Sequence, residues 1–130
     1  MVNSILIGKT IYKLLSDSSE LKGYVGNKIY PLIADDGVSF PFIIYYRNSI
    51  KSNSCKDGYY EDEVSFSIIV VSNKYMESLE IANIIRSVFE KRYLSDTITE
   101  CKVEDVDEDY RENAYVQQLD FNCKMTNLKD

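Results

Sequence analysis

Hydrophobic and polar positions switch between a helical and a strand-like period along the chain. In 5–15 the apolar residues Ile7, Ile11, Leu14 and Leu15 recur at i, i+4, i+7 and i+8, the single stripe of an amphipathic helix that Asn3 or Ser4 can cap. The polar stretch 16–19 stops it, and 20–24 permits one further turn, broken by Gly23 and Gly26. A short strand is predicted over 29–33, where Pro31 removes a ladder donor and so demands an edge position. After the loop 34–39, turning at Asp36-Gly37, the run Phe42, Ile43, Ile44, Tyr45, Tyr46 reads as a buried strand reaching about Ile50.

Beyond a polar loop over 51–58, turning at Asp57-Gly58, Val64, Phe66, Ile68 and Val70 alternate with Ser65, Ser67, Ile69 and Val71. The first set faces a core. The second turns apolar only at its end, as expected of a strand entering its sheet from a solvated rim, and the two strands form an antiparallel hairpin. The surest helix is 74–93, capped by Asn73, with Met76, Leu79, Ala82, Ile85, Val88 and Phe89 at helical spacing and Ile81 and Ile84 widening the stripe. A one-sided strand over 98–110, bulged near Glu104, turns at 111–113. In the last strand, 115–125, Leu119, Phe121, Cys123 and Met125 point inward and Gln118, Asp120, Asn122 and Lys124 outward, before a frayed tail at 126–130. This order predicts one two-layer α+β domain over 1–130, a mainly antiparallel sheet of four to five strands with two main helices on one face.

The length of 130 residues suits one core. A net charge of −6 argues against binding nucleic acid through its phosphates, which requires clustered Lys and Arg. No apolar run is long enough to cross a bilayer, and Lys9 and Lys13 break the apolar start that a signal peptide would need. Cys55, Cys101 and Cys123 are odd in number and far apart, which argues against a disulfide framework or zinc site and fits a reducing cytoplasm. The eleven tyrosines, with no tryptophan, read as half-buried sheet residues.

The chain has no histidine, which removes the usual general base and the Ser-His and Cys-His nucleophile pairs. The triplet Gly8-Lys9-Thr10 resembles the end of a phosphate loop, but Asn3 stands where that loop needs its earlier glycine. In the acidic run 104–112, Asp105, Asp107 and Asp109 alternate as in a calcium loop; the sixth and twelfth positions hold Tyr110 and Val116 in place of glycine and glutamate. A solvated hairpin tip is the better reading. Cys101 and Cys123 sit at inward strand positions as small hydrophobes, and Cys55, in a polar loop, has no activating neighbour in sequence. The pairs Tyr45-Tyr46 and Tyr59-Tyr60 lack the interleaved basic groove of a base-stacking platform. No catalytic residue, metal ligand or cofactor site is predicted.

Taken in order, the helix ending in Leu14-Leu15, the stretch Val25-Gly26-Asn27-Lys28-Ile29-Tyr30-Pro31 and the stretch Phe40-Pro41-Phe42-Ile43-Ile44-Tyr45 resemble the tail completion, or tail terminator, family of long-tailed bacteriophages and prophages. The apolar strand 64–71, the helix bearing Tyr75, Ala82 and Arg86, and Asp120-Phe121 continue the likeness. The resemblance implies a non-enzymatic structural protein that assembles as a ring, usually a hexamer, at the head-proximal end of the tail tube. There it stops tube growth and joins the tube to the head. Its implied partners are copies of itself, forming the ring on the tail even if monomeric in solution, the tail tube protein and a head-completion or connector protein. Specific nucleic-acid binding and membrane association are not implied. Assembly would occur in the host cytoplasm and the product would reside in the virion tail. The acidic second hairpin and the polar segment 49–60 depart from the family pattern.

A closed ring needs two different complementary patches on each subunit. Candidates are Ile29 and Tyr30 of the edge strand, Asp35 and Asp36 of the following loop, and Tyr59 and Tyr60 beside the first hairpin's loop. The carboxylates Asp105, Asp107, Glu108 and Asp109 are expected at the ring's lumen or rim, where like-charge repulsion keeps DNA sliding. Two other functions compete: a protein-binding interaction module acting through its tyrosines, and an enzyme using carboxylates with a divalent metal.

Overall fold

Ile7, Ile11 and Leu15 share one helical face and are buried in α1 (Ile7–Asp17), which follows a 3-10 turn at Ser4–Leu6. The structure, a computed structural model, describes residues 4–54 and 59–128, with the side chains of 53–60 and 127–130 outside the description. Ser4 does not cap α1: its buried hydroxyl donates to the Asp62 carboxylate, tying the start of the chain to the sheet. At the other end Ser18 leaves the helical conformation, and its hydroxyl accepts the Leu21 N–H to cap α2 (Ser19–Val25). The single turn expected there is thus a seven-residue helix, which buries Leu21 and Val25 and ends at Gly26, φ 60°.

The strands are β1 (Ile29–Pro31), β2 (Phe42–Ser54), β3 (Tyr59–Ser72), β4 (Lys91–Tyr93), β5 (Ile98–Arg111) and β6 (Ala114–Leu128), with α3 (Tyr75–Phe89) between β3 and β4. They form one six-stranded mixed sheet in the order β1-β2-β3-β6-β5-β4, in place of the four to five strands predicted. β1 runs parallel to β2 at the edge that Pro31 requires, and the other neighbours are antiparallel. The extra strand comes from the end of the predicted helix. α3 stops at Phe89, and the Glu90 carboxylate accepts both the Val103 N–H, at 3.0 Å, and Arg86 Nε. Lys91–Tyr93, exposed throughout, then pairs with β5.

The first hairpin is longer than predicted, its register running to Ser54 opposite Tyr60; of the predicted loop, 55–58 lie outside the described residues. β6 likewise continues to Leu128, with the Thr126 N–H bonded to the Thr97 carbonyl, where fraying was expected. The β5–β6 turn at Glu112 and Asn113 has φ of 50° and 63°, the pair of positive values that a two-residue hairpin turn requires. β5 carries the expected irregularity between Val103 and Asp105 and a second between Thr99 and Lys102, with Glu100 at φ 51°.

The helices pack on one face. Val64, Phe66, Ile68 and Val70 of β3, with Leu119, Phe121, Cys123 and Met125 of β6, are buried there as the alternation predicts. Phe66 lies 5.2 Å from Phe121 and 5.8 Å from Phe89, centroid to centroid, and each such ring stabilises the fold by about 1.5–3 kcal/mol on burial. The inward stripe of α3 is Ser78, Ile81, Ala82, Ile85 and Phe89, rotated from the predicted one, so that Met76 is 65% exposed and Leu79 only half-buried.

Candidate interaction surface

Alternate residues of the same strands build the opposite face of the sheet, and the register sets them in rows. Phe42, Val71, Val116 and Asp109 lie side by side across β2, β3, β6 and β5; the next row is Ile44, Ile69, Gln118 and Asp107, and the third Tyr46, Ser67, Asp120 and Asp105. The face is therefore divided, apolar towards one end of β2 and β3 and acidic along β5.

The apolar part forms a groove of about 510 Å³. Its floor is Phe42, Ile44, Ile69, Val71 and Val116, and its walls are Ile33, Val38 and Phe40 of the loop 32–41 and Arg111 and Glu112 of the turn. Lys28 Nζ holds that loop by donating to the Ser39 and Phe40 carbonyls. Leu32, at φ 64°, and Ile33 are 74% and 78% exposed at its outer margin. The Phe40–Pro41 peptide is cis.

On the polar part, Asn48 Nδ2 donates to Ser67 Oγ at 2.7 Å, and Ser67 Oγ and Gln118 Nε2 both donate to Asp120 Oδ1. Asp105, Asp107 and Asp120 each bring a carboxylate oxygen within 4.8 Å of the others. The Asp105 charge pushes the Asp107 carboxyl above its usual range, with loss of solvent and the Asp120 charge adding to the effect. These oxygens are the described group that could hold a cation, although two of the three residues are exposed and Asp120 already accepts two donors. The run 104–112 holds six carboxylates against one guanidinium, five of the chain's six net negative charges.

The predicted acidic set does not stay together. Asp105, Asp107 and Asp109 share the open face, whereas Glu108 turns to the helix side, accepting Tyr75 Oη at 3.1 Å and Gln117 Nε2 at 3.0 Å. There Tyr115 packs 5.5 Å from Tyr75 and 4.9 Å from Tyr110. Glu108 raises the Tyr75 phenol above its ordinary value.

Of the predicted contact residues, Ile29 and Tyr30 lie on edge strand β1, separated by three strands from the acidic β5. Ile29 is buried in the core, so β1 can offer a partner its backbone edge but not that side chain; Tyr30 is half-buried, and Asp35 and Asp36 are exposed. Tyr59 and Tyr60 begin β3, but their side chains fall outside the described residues, as does Cys55. Sequence reasoning missed the groove floor and Asp120. The available signal was Ile69 and Val71, apolar at outward positions of an otherwise clean alternation.

A second cavity, about 690 Å³, opens beside β4 and β5 among Glu63, Glu90, Arg92, Glu100, Lys102 and Lys124, where Lys124 pairs with Glu100 at 3.0 Å. Cys101 lines it, but its hydrogen bond to Cys123 and its burial push the thiol up, so that little reactive thiolate forms.

Fold and surface together define an α+β domain whose distinguishing feature is a half-apolar, half-acidic sheet face that its helices leave open. Residues 9–126 match the family described as Tail completion protein gp17, and the chain belongs to this family of phage tail completion proteins, structural proteins of virion assembly. The fold is similar to that of a chain in the virion of a native gene transfer agent particle, at a TM-score of 0.75 and 14% identity, covering 90% of this chain and 92% of that one. A search of curated proteins finds no match.

Proposed function

We propose that the protein, acting as one tail-terminator-like domain, caps the head-proximal end of the tail tube and joins it to the head connector as a ring of identical subunits. The observation that carries this reading is the divided open face in a chain whose residues 9–126 belong to a tail completion family. A ring uses two unlike patches on each subunit, and a tube cap uses further surfaces for the tube protein and the connector. The backbone edge of β1 with Tyr30, the loop residues Asp35 and Asp36, and Tyr59 and Tyr60 are offered as such contacts. Of the four carboxylates expected at the ring's rim or lumen, we keep Glu108 and Asp109 there, near the hairpin tip, where they would repel DNA, and give Asp105 and Asp107 to a subunit contact instead. The role is assembly, in the host cytoplasm and then the virion tail, and no catalytic step is assigned to any residue.

Deleting the gene from the particle that encodes it tests the cap directly. Electron micrographs should show tubes of uncontrolled length without attached heads, restored by the wild-type gene; tails of normal length bearing heads would refute the reading. Neutralising Glu108 and Asp109 together should alter DNA retention while rings still assemble, and unchanged retention would remove the lumen placement alone.

A further inference from the structure

Among the described residues, two surfaces that are at least partly exposed are unlike each other. One is the open sheet face, an apolar groove floored by Ile44, Ile69 and Val71 beside the carboxylates of Asp105, Asp107 and Asp120. The other is the outward side of the first helix and the turn before it. There Ile5, Lys9, Tyr12 and Lys13 fall at i, i+4, i+7 and i+8, with Leu6 alongside, while Ile7, Ile11 and Leu15 point into the core. Ile5 is 64% and Leu6 47% exposed, so this side is as apolar as it is basic.

The two patches match in charge and in spacing. Lys9 and Lys13 stand one helical turn apart, about 6 Å along the axis. Asp105 and Asp107 are next-but-one neighbours on a strand, about 6.6 Å apart. The three carboxylates crowd one another, and cations placed against them would relieve that repulsion. The only ion pair described for Lys13 is the exposed one to Asp17 at 3.2 Å, of the kind that contributes little and exchanges readily. Because α1 lies on the other side of the sheet from the open face, one copy cannot satisfy itself.

We infer that the open sheet face receives α1 of a second copy, with Ile5, Leu6 and Tyr12 over the apolar floor and Lys9 and Lys13 against Asp105, Asp107 and Asp120. The contact joins unlike patches, so it repeats from subunit to subunit, and it closes when the rotation allows. This assignment rests on the ring reading and names the surfaces that build the ring.

The test uses two charge-reversed full-length variants, Lys9→Glu with Lys13→Glu and Asp105→Lys with Asp107→Lys, each checked for native circular dichroism. Self-association is followed by native mass spectrometry and by co-sedimentation with tail tubes. Each variant alone should associate at least about tenfold more weakly than wild type. An equimolar mixture should recover association, because every helix then meets a face of opposite sign. If reversal disturbs folding, Lys9→Cys and Asp107→Cys, introduced separately and mixed under mild oxidation, should cross-link to each other. Self-association unchanged in both variants, or no recovery and no cross-link in the mixtures, overturns the inference and leaves the ring reading standing. Loss of tube binding with self-association intact makes the tube protein the occupant and overturns it too. A wild-type protein that never self-associates, alone or on tubes, overturns both.

Discussion

The two faces of the sheet are written in alternate residues of the same strands, and they obey different rules. On β3 the helix-covered face is Val64, Phe66, Ile68 and Val70, all fully buried, while the opposite face runs from Ser65 and Ser67 to the half-buried Ile69 and Val71. On β6 the contrast is Leu119, Phe121, Cys123 and Met125 against Gln118, Asp120, Asn122 and Lys124. The covered face is mostly apolar because water is excluded from it, and its buried polar groups, Asp62 and Gln117, are held in hydrogen bonds. A face kept only for solvation would be polar throughout. The open face instead sorts into an apolar end and an acidic margin, the arrangement expected of a surface that meets another protein.

If the covered face serves folding and the open face serves assembly, substitutions should separate along the same line. Phe66→Ala removes the ring shared by Phe89 and Phe121 and should cost about 3–5 kcal/mol in urea denaturation. A loss below about 1 kcal/mol would show that the covered face is not the core described. Ile29→Lys places a charge in the same core and should destabilise the isolated monomer by about 3 kcal/mol, so any assembly defect would follow from unfolding. A stable but assembly-deficient Ile29→Lys would mean instead that β1 contributes its side chain to a contact.

Across the sheet, Ile69→Asp should cost no more than about 1–2 kcal/mol, because its side chain is only half-buried, yet it should abolish self-association in native mass spectrometry. Unchanged association would return the groove to the status of an ordinary surface. The smallest effect is expected from Asp107→Asn. The neighbouring carboxylates raise the Asp107 pKa in the fold, so its protonated form is favoured there. Its contribution to stability is present below the unfolded carboxylate value and lost as pH rises through the raised folded value. At neutral pH the ionised group therefore opposes folding, and Asp107→Asn should raise the melting temperature slightly there and leave it unchanged below the carboxylate range. The gain should shrink with salt; a loss of stability at neutral pH would contradict the crowding.

Much of the covered face was legible because its signal is local. The alternation in 115–125 and 64–71 names the apolar residues buried under the helices, though Ser67 and Asn122, expected outward, are buried too, and Pro31 announces an edge. The end of α3 was not legible. The helical period carries on through Val88 and Phe89, and what stops it is Glu90 reaching Val103, thirteen residues away. Lys91–Tyr93 has no alternation to read, being exposed at every position. The open face was hidden for a related reason. Its rows join residues from four strands, so neither the groove nor the meeting of Asp120 with Asp105 and Asp107 exists until the register is fixed. Even so, Ile69 and Val71 mark one end of it in the sequence.

Covalent side-chain footprinting of the free and tail-bound protein tests the division between the faces most directly. Ile44, Ile69 and Val71 should be labelled in the free protein and protected on the tail, while Phe66, Ile68 and Phe121 stay unlabelled in both. Equal labelling of Ile44, Ile69 and Val71 in the two states would contradict the claim that the open face is where this protein assembles.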